Sequence, residues 1–348
     1  MKLSCKLCIV GICALIGIGA LSIRQVSAAD KWEGPTEGPR AQTDKKITFI
    51  SQDLRNGGIT AAYRGFFTAS QELGWSLLLV DGKSDAPTIR HAFMEAIRSH
   101  QDAIVVGGFD TDEFADVVAE ARRAQIVLAG WHAAAEPGPT KNLFTNIATA
   151  SSEVARMAAD YVINSGNGNI GVVIFNDDHF SVANAKTQRM KEIVGKCDHC
   201  KVLSVENIPI SDADKEIPLA VPRLNNLYGK AWTHSLAIND VYFDAMNIPL
   251  TAIHRTDIQN ISAGDGSSIA IGRIKSGLSQ QIATIAEPTD LQGWQLADEL
   301  NRAFAHVAPS GYITKPILIT TQFLKQGGLR DSDAHSVYRE AYKEIWQK

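Results

Sequence analysis

The sequence has no Walker A loop, no GxGxxG fingerprint and no GxSxG or HExxH motif. The common signatures of nucleotide binding, serine hydrolysis and zinc hydrolysis are therefore missing. Neither sign of charge dominates: 34 Lys+Arg stand against 38 Asp+Glu, a net charge of −4. That balance lacks the basic stripe of a nucleic-acid binder. Five Cys in 348 residues are too few for a disulfide scaffold. Beyond residue 29 no apolar run is long enough to span a bilayer. What is present is ordinary: 45% hydrophobic and 21% charged residues, which excludes long disorder. At about 150 residues per domain the length predicts two domains.

Residues 1–28 read as a secretory signal peptide. Lys2 and Lys6 form a positive start, Leu7 to Ile23 an apolar run, and Ser27, Ala28 and Ala29 a small-residue cleavage site after Ala28 or Ala29. An uncleaved N-terminal anchor is the alternative, with a run at the short limit for a span. Cleavage after Ala28 would remove Lys2, Lys6 and Arg24 and no acid, taking the net charge to −7. It would also remove Cys5, Cys8 and Cys13, leaving only Cys197 and Cys200. In an oxidising compartment that close pair reads as a small disulfide loop. A redox site is one alternative, although such a motif normally opens a helix after a strand. A zinc site with His199 or His179 as further ligands is another, although no second Cys pair exists.

Residues 29–45 are rich in Gly, Pro and charge and read as an irregular leader. Then apolar strands alternate with amphipathic helices. Strands are expected at Lys46–Ser51, Ser76–Val80, Ala103–Gly108 and Ile126–Gly130, and helices at Ala61–Gly74, Ala86–Ser99 and Thr111–Arg123. A second series follows. Its strands are near Asn169–Phe175, Lys201–Val205, Ser235–Ile238, Ile258–Ala263 and Ala283–Ala286. Its helices include Ala150–Ser165, Val182–Val194, Asp240–Met246, Ser268–Ser276 and Thr289–Ala305. Ile313–Ile319 is a closing extended segment, and residues 331–348 an added helix with Val337, Ala341 and Ile345 on one stripe. Continuous apolar strands between helices mean parallel sheets covered on both faces. The fold class is α/β, with two doubly wound lobes.

Several segments carry a family resemblance. Ala103-Ile104-Val105-Val106 is similar to a "DAIIV" strand, and Ile238 to Met246 to an "xNDxxAxGA" segment. Gly264-Asp265-Gly266 with Ile274-Lys275-Ser276-Gly277 is similar to "GxDG…IKSG", and Ala283 to Pro288 to "ATIAQxP". In this order and spacing, residues 46 to about 329 resemble type I periplasmic solute-binding proteins, the ribose-binding-like group of ABC importers. The resemblance implies three chain crossings between the lobes, near Asn146–Thr149, near Glu287 and near Ile317–Thr320. Lobe 1 is then 46–147 with 288–317, and lobe 2 is 148–287 with 318–330.

In open α/β sheets ligands bind beyond the carboxyl ends of the strands. That rule nominates Asp53, Arg55 and Asn56, then Asp110, then Trp131 and His132, from the first lobe. From the second it nominates Phe180, Asn184 and Lys186, then Asn239, Asp240 and Asp265, with Glu287 at a crossing. Carboxylates and amides suit hydroxyl pairs, and aromatic faces suit C–H stacking, so the chemistry points to a sugar or polyol. Asp240 reads more as a helix cap than a ligand, and Asn239 the reverse. Trp131 reads equally as stacking or packing. His132 reads as a hydrogen-bonding wall rather than a metal ligand, and Arg55 and Lys186 have solvated alternatives. By the resemblance, Asn239 and Asp265 align with ligand-binding positions. Glu287 replaces Gln, Trp131-His132 replaces Asp-Arg, Asn184 and Lys186 stand where Arg is found, and Gly57-Gly58 replaces paired aromatics, so ribose itself is not expected.

The function expected is that of a monomeric periplasmic binding protein, without enzymatic activity, cofactor or nucleic-acid partner. It would close on a solute and deliver it to an ABC permease in the inner membrane. The alternative is a ligand-sensing partner of a receptor histidine kinase, for which the leader and the C-terminal helix could supply contacts.

Overall fold

The structure, a computed structural model, describes residues 32–166, 168–328 and 334–348. The expected signal peptide lies outside the described residues. The first lobe runs β1 (Lys46–Ser51), α1 (Gly57–Glu72), β2 (Ser76–Asp81), α2 (Ala86–Arg98), β3 (Ala103–Gly107), α3 (Ala115–Arg123), β4 (Val127–Trp131) and the two-residue β5 (Asn146–Ile147). Its five strands lie in the order β2-β1-β3-β4-β5, all parallel. The second lobe runs α4 (Ser151–Ser165), β6 (Ile170–Asn176), α5 (Ser181–Val194), β7 (Cys200–Asn207), α6 (Ala213–Tyr228), β8 (His234–Ala237), α7 (Val241–Ala252), β9 (Gln259–Ser262), α8 (Ser268–Ser276) and β10 (Gln281–Ala286). The chain then returns to the first lobe with α9 (Thr289–Phe304) and to the second with β11 (Ile317–Thr320) and α10 (Thr321–Lys325); α11 (Ala334–Gln347) follows. The second sheet has the order β11-β10-β9-β8-β6-β7.

Strands β1, β3 and β6 are almost wholly buried, as sheets covered on both faces require. One apolar cluster fills the second lobe. The first lobe has two, one beneath α1 and α9 and one beneath α2 and α3. Helices α1 and α9 pack unusually close. A Cβ on Gly65 would collide with the Asp290 carbonyl, and one on Gly293 with the Ala62 carbonyl. Small residues at a helix crossing allow this approach.

The structure departs from the expected elements in three places. Helix α1 starts at Gly57 rather than Ala61, because Asn56 Oδ1 accepts the Gly58 amide (2.9 Å) and caps a first turn that two glycines disguise in sequence. Helix α6 was not expected, because Pro218 and Pro222 lie inside it. Its buried stripe of Ala213, Ile217, Ala220, Val221 and Leu224 overrides them. Helix α7 runs on past Met246 to Ala252 and includes Pro249. Near the third expected crossing, Ile317–Thr320 forms an antiparallel edge strand beside β10 of the second lobe.

The described part of the leader, residues 32–45, has no regular structure, but it is not loose. Trp32 packs among Tyr312, Tyr338 and Tyr342. The Ala41 amide donates to the Trp346 carbonyl (2.9 Å), and Gln42 accepts from Trp75 Nε1. Asn301 of α9 is bonded to the backbone of residues 39, 40 and 42. On α11 the buried side chains are Tyr338, Tyr342, Ile345 and Trp346; of the expected stripe only Ile345 is fully buried. Trp346 stacks on Trp294 of α9 and donates to Asp298, which also pairs with Arg302 (2.8 Å). Leader and α11 thus cover the outer face of α9 together and bond to its Asn301, Asp298 and Arg302 side chains.

Candidate functional site

The carboxyl ends of both sheets face one cleft, and Glu287, between β10 and α9, lies at its floor. The Glu287 carboxylate is fully enclosed. Oε1 accepts from Lys186 Nζ (3.0 Å), and Oε2 from His132 Nε2 (2.9 Å) and the Thr149 hydroxyl. Lys186 also donates to the Ala263 carbonyl (2.9 Å). Lys186 comes from α5 of the second lobe, His132 from the first, and Thr149 from the segment between β5 and α4. One carboxylate therefore joins both lobes to two of the connecting segments. Burial works to raise the Glu287 pKa, but Lys186 and His132 outweigh it and hold the carboxyl well below the usual range. His132 has a left-handed backbone (φ 51°), uncommon for a residue other than glycine, and its ring stacks on Trp131 (4.1 Å between centroids).

Above this floor stands Asp265. Asn239 Nδ2 donates to its Oδ2 (2.6 Å), and Asn239 Oδ1 accepts the Val241 amide. Asp240, at the N-cap position of α7, makes no side-chain bond to that helix. Its Oδ2 instead accepts the Gly266 and Ser267 amides (2.8 and 2.9 Å), so it shapes the loop that presents Asp265. Gly266 (φ 80°) is needed there, because a Cβ would strike Ala286. Burial, partly offset by Lys186 and reinforced by Glu287, raises the Asp265 pKa to about 6. Across the cleft, the N-terminus of α1 meets Asp265 so closely that a Cβ on Gly58 would collide with its Oδ2. The positive end of that helix favours a carboxylate.

These groups enclose a chamber of about 50 Å³ lined by Asn56, Trp131, His132, Phe180, Lys186, Asn239 and Asp265 among others. Seven of the eleven expected ligand residues thus share one lining, with Glu287 beneath. Trp131 lines the chamber and is also packed into the first lobe, its Nε1 donating to Gln292 of α9 (2.8 Å). Two wider chambers of about 200 and 420 Å³ adjoin through Asn56, Ile210 and Phe180. Together they fall within the roughly 300–1,000 Å³ of small-molecule sites.

The remaining expected residues lie elsewhere. Asp53 lines an outer chamber and is paired with Arg55 (2.7 Å). Burial raises its pKa, but the bonds from Arg55 and Ser84 prevail and lower it. Arg55 also reaches the Ser211 carbonyl of the second lobe (3.2 Å). Asp110 caps the turn at Thr111–Phe114 and accepts the Ser181 hydroxyl (2.7 Å), a direct bond between lobes. Asn184 is a correction: it faces solvent and bonds to Asn176 and the Asp178 carbonyl. The inward face of α5 is Ala183, Lys186, Thr187 and Met190, and position 184 falls off that stripe. Sequence reasoning did not assign roles to Gly58, Thr149, Ser181 or Gln292. Only Gly58 left a signal, as glycine where a family with the same pattern has an aromatic. Cys197 and Cys200 are joined as a disulfide at the far end of β7.

Comparison with curated protein sequences found no match. Among solved structures, an Agrobacterium vitis ABC transporter solute-binding protein with bound allitol superposes with a TM-score of 0.71 at 15% identity, covering 82% of this chain and 98% of the other. A Caulobacter myo-inositol binding protein bound to myo-inositol gives 0.72 at 17%, covering 83% and 97%. A sugar ABC transporter protein from Yersinia enterocolitica gives 0.73 at 15%, covering 86% and 96%. At these identities the likeness is one of fold. Residues 47–306 also match the sequence profile described as "Periplasmic binding protein domain", so three quarters of the chain, both lobes included, belong to the periplasmic binding protein family.

Proposed function

We propose that the protein captures a sugar or polyol in the cleft by hinge closure and delivers it to an ABC importer permease. The observation that carries this reading is the two-sided chamber: Asp265 and Asn239 from one lobe oppose Asn56 and the α1 N-terminus from the other. Hydroxyl pairs on a small ring or chain can bond to both sides at once only when the lobes are closed. Such a solute shifts the population toward the closed form by its differential contacts. Trp131 and Phe180 supply apolar faces for C–H groups. The allitol and myo-inositol held by the two similar proteins are of this chemical class.

A thermal-shift screen over pentoses, hexoses, inositols and linear polyols tests the reading, because a solute that binds only the native state raises its melting temperature. At least one should shift melting, and Asp265→Ala should abolish the shift. No response across the panel would sink the sugar assignment. Solute uptake that survives deletion of the gene would sink the importer role.

A further inference from the structure

The Cys197-Asp198-His199-Cys200 turn lies outside the cleft and has no part in solute capture. It joins α5 to β7, and Cys200 is in register with Ile170 at the amino end of β6. Solute meets the opposite, carboxyl end of these strands, and the eight residues of β7 separate the two by about 25 Å. We propose that, once reduced, this turn is a binding site for one Zn²⁺ ion, with Cys197, Cys200 and His199 as ligands and water completing the shell.

Four observations support it. The ligand atoms of these three residues lie within 4.8 Å of one another. The His199 ring nitrogens stand 3.6 and 3.7 Å from Cys197 Sγ. That separation is close to the S–N edge of a zinc tetrahedron, about 3.6 Å for bonds of 2.3 and 2.05 Å. The backbone of the turn is held without the sulfur bridge: Cys197 N donates to Val194 O (3.2 Å), Cys200 N to Cys197 O (3.1 Å) and Ile170 N to His199 O (2.9 Å). The donors therefore stay gathered when the bridge opens. His199 is exposed and both cysteines are partly so, which gives a metal access. The bridge itself closes so short a loop that it restricts the unfolded chain little. His179, the other candidate ligand, is at the opposite end of β6 beside Asp177 (2.8 Å).

The chemistry balances. A dithiol reductant gives two electrons and two protons to the Cys197–Cys200 bond and is itself oxidised to a disulfide. Zn²⁺ then displaces the two thiol protons and takes a lone pair from neutral His199, so two protons are released for each ion bound. The oxidised turn offers no thiolates and excludes the metal.

The full chain carrying Cys5→Ser, Cys8→Ser and Cys13→Ser, reduced with a dithiol and freed of it anaerobically, is titrated with ZnCl₂ against a chromophoric chelator, with the oxidised protein as baseline. Expected are one additional equivalent in the reduced form, release of about two protons, and loss of that equivalent in Cys197→Ser and Cys200→Ser. His199→Ala, an exposed change checked by its melting curve, should weaken binding by roughly tenfold or more. Equal zinc binding by oxidised and reduced protein, or undiminished affinity in His199→Ala, would overturn the proposal.

Discussion

Asp265 and Glu287 show how two enclosed carboxyls that share the field of one lysine, Lys186, are driven apart. Lys186 and His132 bond to Glu287 directly, and it stays ionised; Asp265 receives an amide and a more distant charge, and burial prevails. A carboxyl whose folded pKa is raised gives stability that is complete below its unfolded pKa, near 3.8, and lost as pH rises through about 6. Wild type should therefore lose stability relative to Asp265→Asn between pH 4 and 8, by at most on the order of 3 kcal/mol, in denaturant titrations at the two pH values. A constant difference would contradict this environment for Asp265. Lys186→Met leaves Glu287 without its cation and should cost about 3–5 kcal/mol at neutral pH, and less in acid, where Glu287 can take a proton. The residue types at the strand ends were legible, since Asp, Asn and Trp after apolar strands announce a polar site. Their partners were not. Nothing local in sequence tells that Lys186 reaches across 101 positions to Glu287, or that Asn184, two residues away, turns outward.

At the scale of elements, periodicity was readable wherever helix-breaking residues were absent. Strands β1 and β3 and helices α2 and α8 fall within a residue of their expected spans. Helix α6 was hidden because proline signals a break in sequence, while the apolar stripe that overrides it gains its energy only from the sheet below. Both prolines are exposed, so Pro222→Ala should restore backbone bonding and raise stability by roughly 1–3 kcal/mol. An unchanged or lower denaturation midpoint would show that the helix depends on its prolines. Helix α11 makes the contrary case. It buries four large side chains, each contributing about 1.5–3 kcal/mol. A chain ending at residue 328 should lose upward of roughly 6 kcal/mol and bind a hydrophobic dye at the bared Trp294 face. Melting unchanged by the truncation would contradict the packing described.

For the molecule as a whole, the alternation of strand and helix made the two lobes legible, because parallel strands need helical returns. The extended segment near Ile313–Ile319 was legible, but the antiparallel pairing of β11 with β10 was not, since a four-residue strand carries no helix to announce its direction. Closure is held at the rim by two bonds between lobes, Ser181 to Asp110 and Arg55 to the Ser211 carbonyl. These bonds contribute only when the cleft is shut. Asp110→Ala should therefore favour the open form by about 1 kcal/mol, weakening solute affinity several-fold through faster release. Small-angle scattering would show a larger radius in the variant without solute, and an unchanged radius and affinity would remove the latch from the mechanism.

The seam between leader and α11 also has a mechanical meaning. Lys348 Nζ reaches the Thr36 carbonyl (3.0 Å), and the Ala41 amide the Trp346 carbonyl, so the two ends of the described chain are stitched together on one lobe. A force pulling Trp32 away from Lys348 first meets this seam. The segments between the lobes, and the solute chamber they govern, stay outside the loaded path until it tears. The protein could thus be held by both ends, as on a surface or in an optical trap, while the second lobe remains free to open and close.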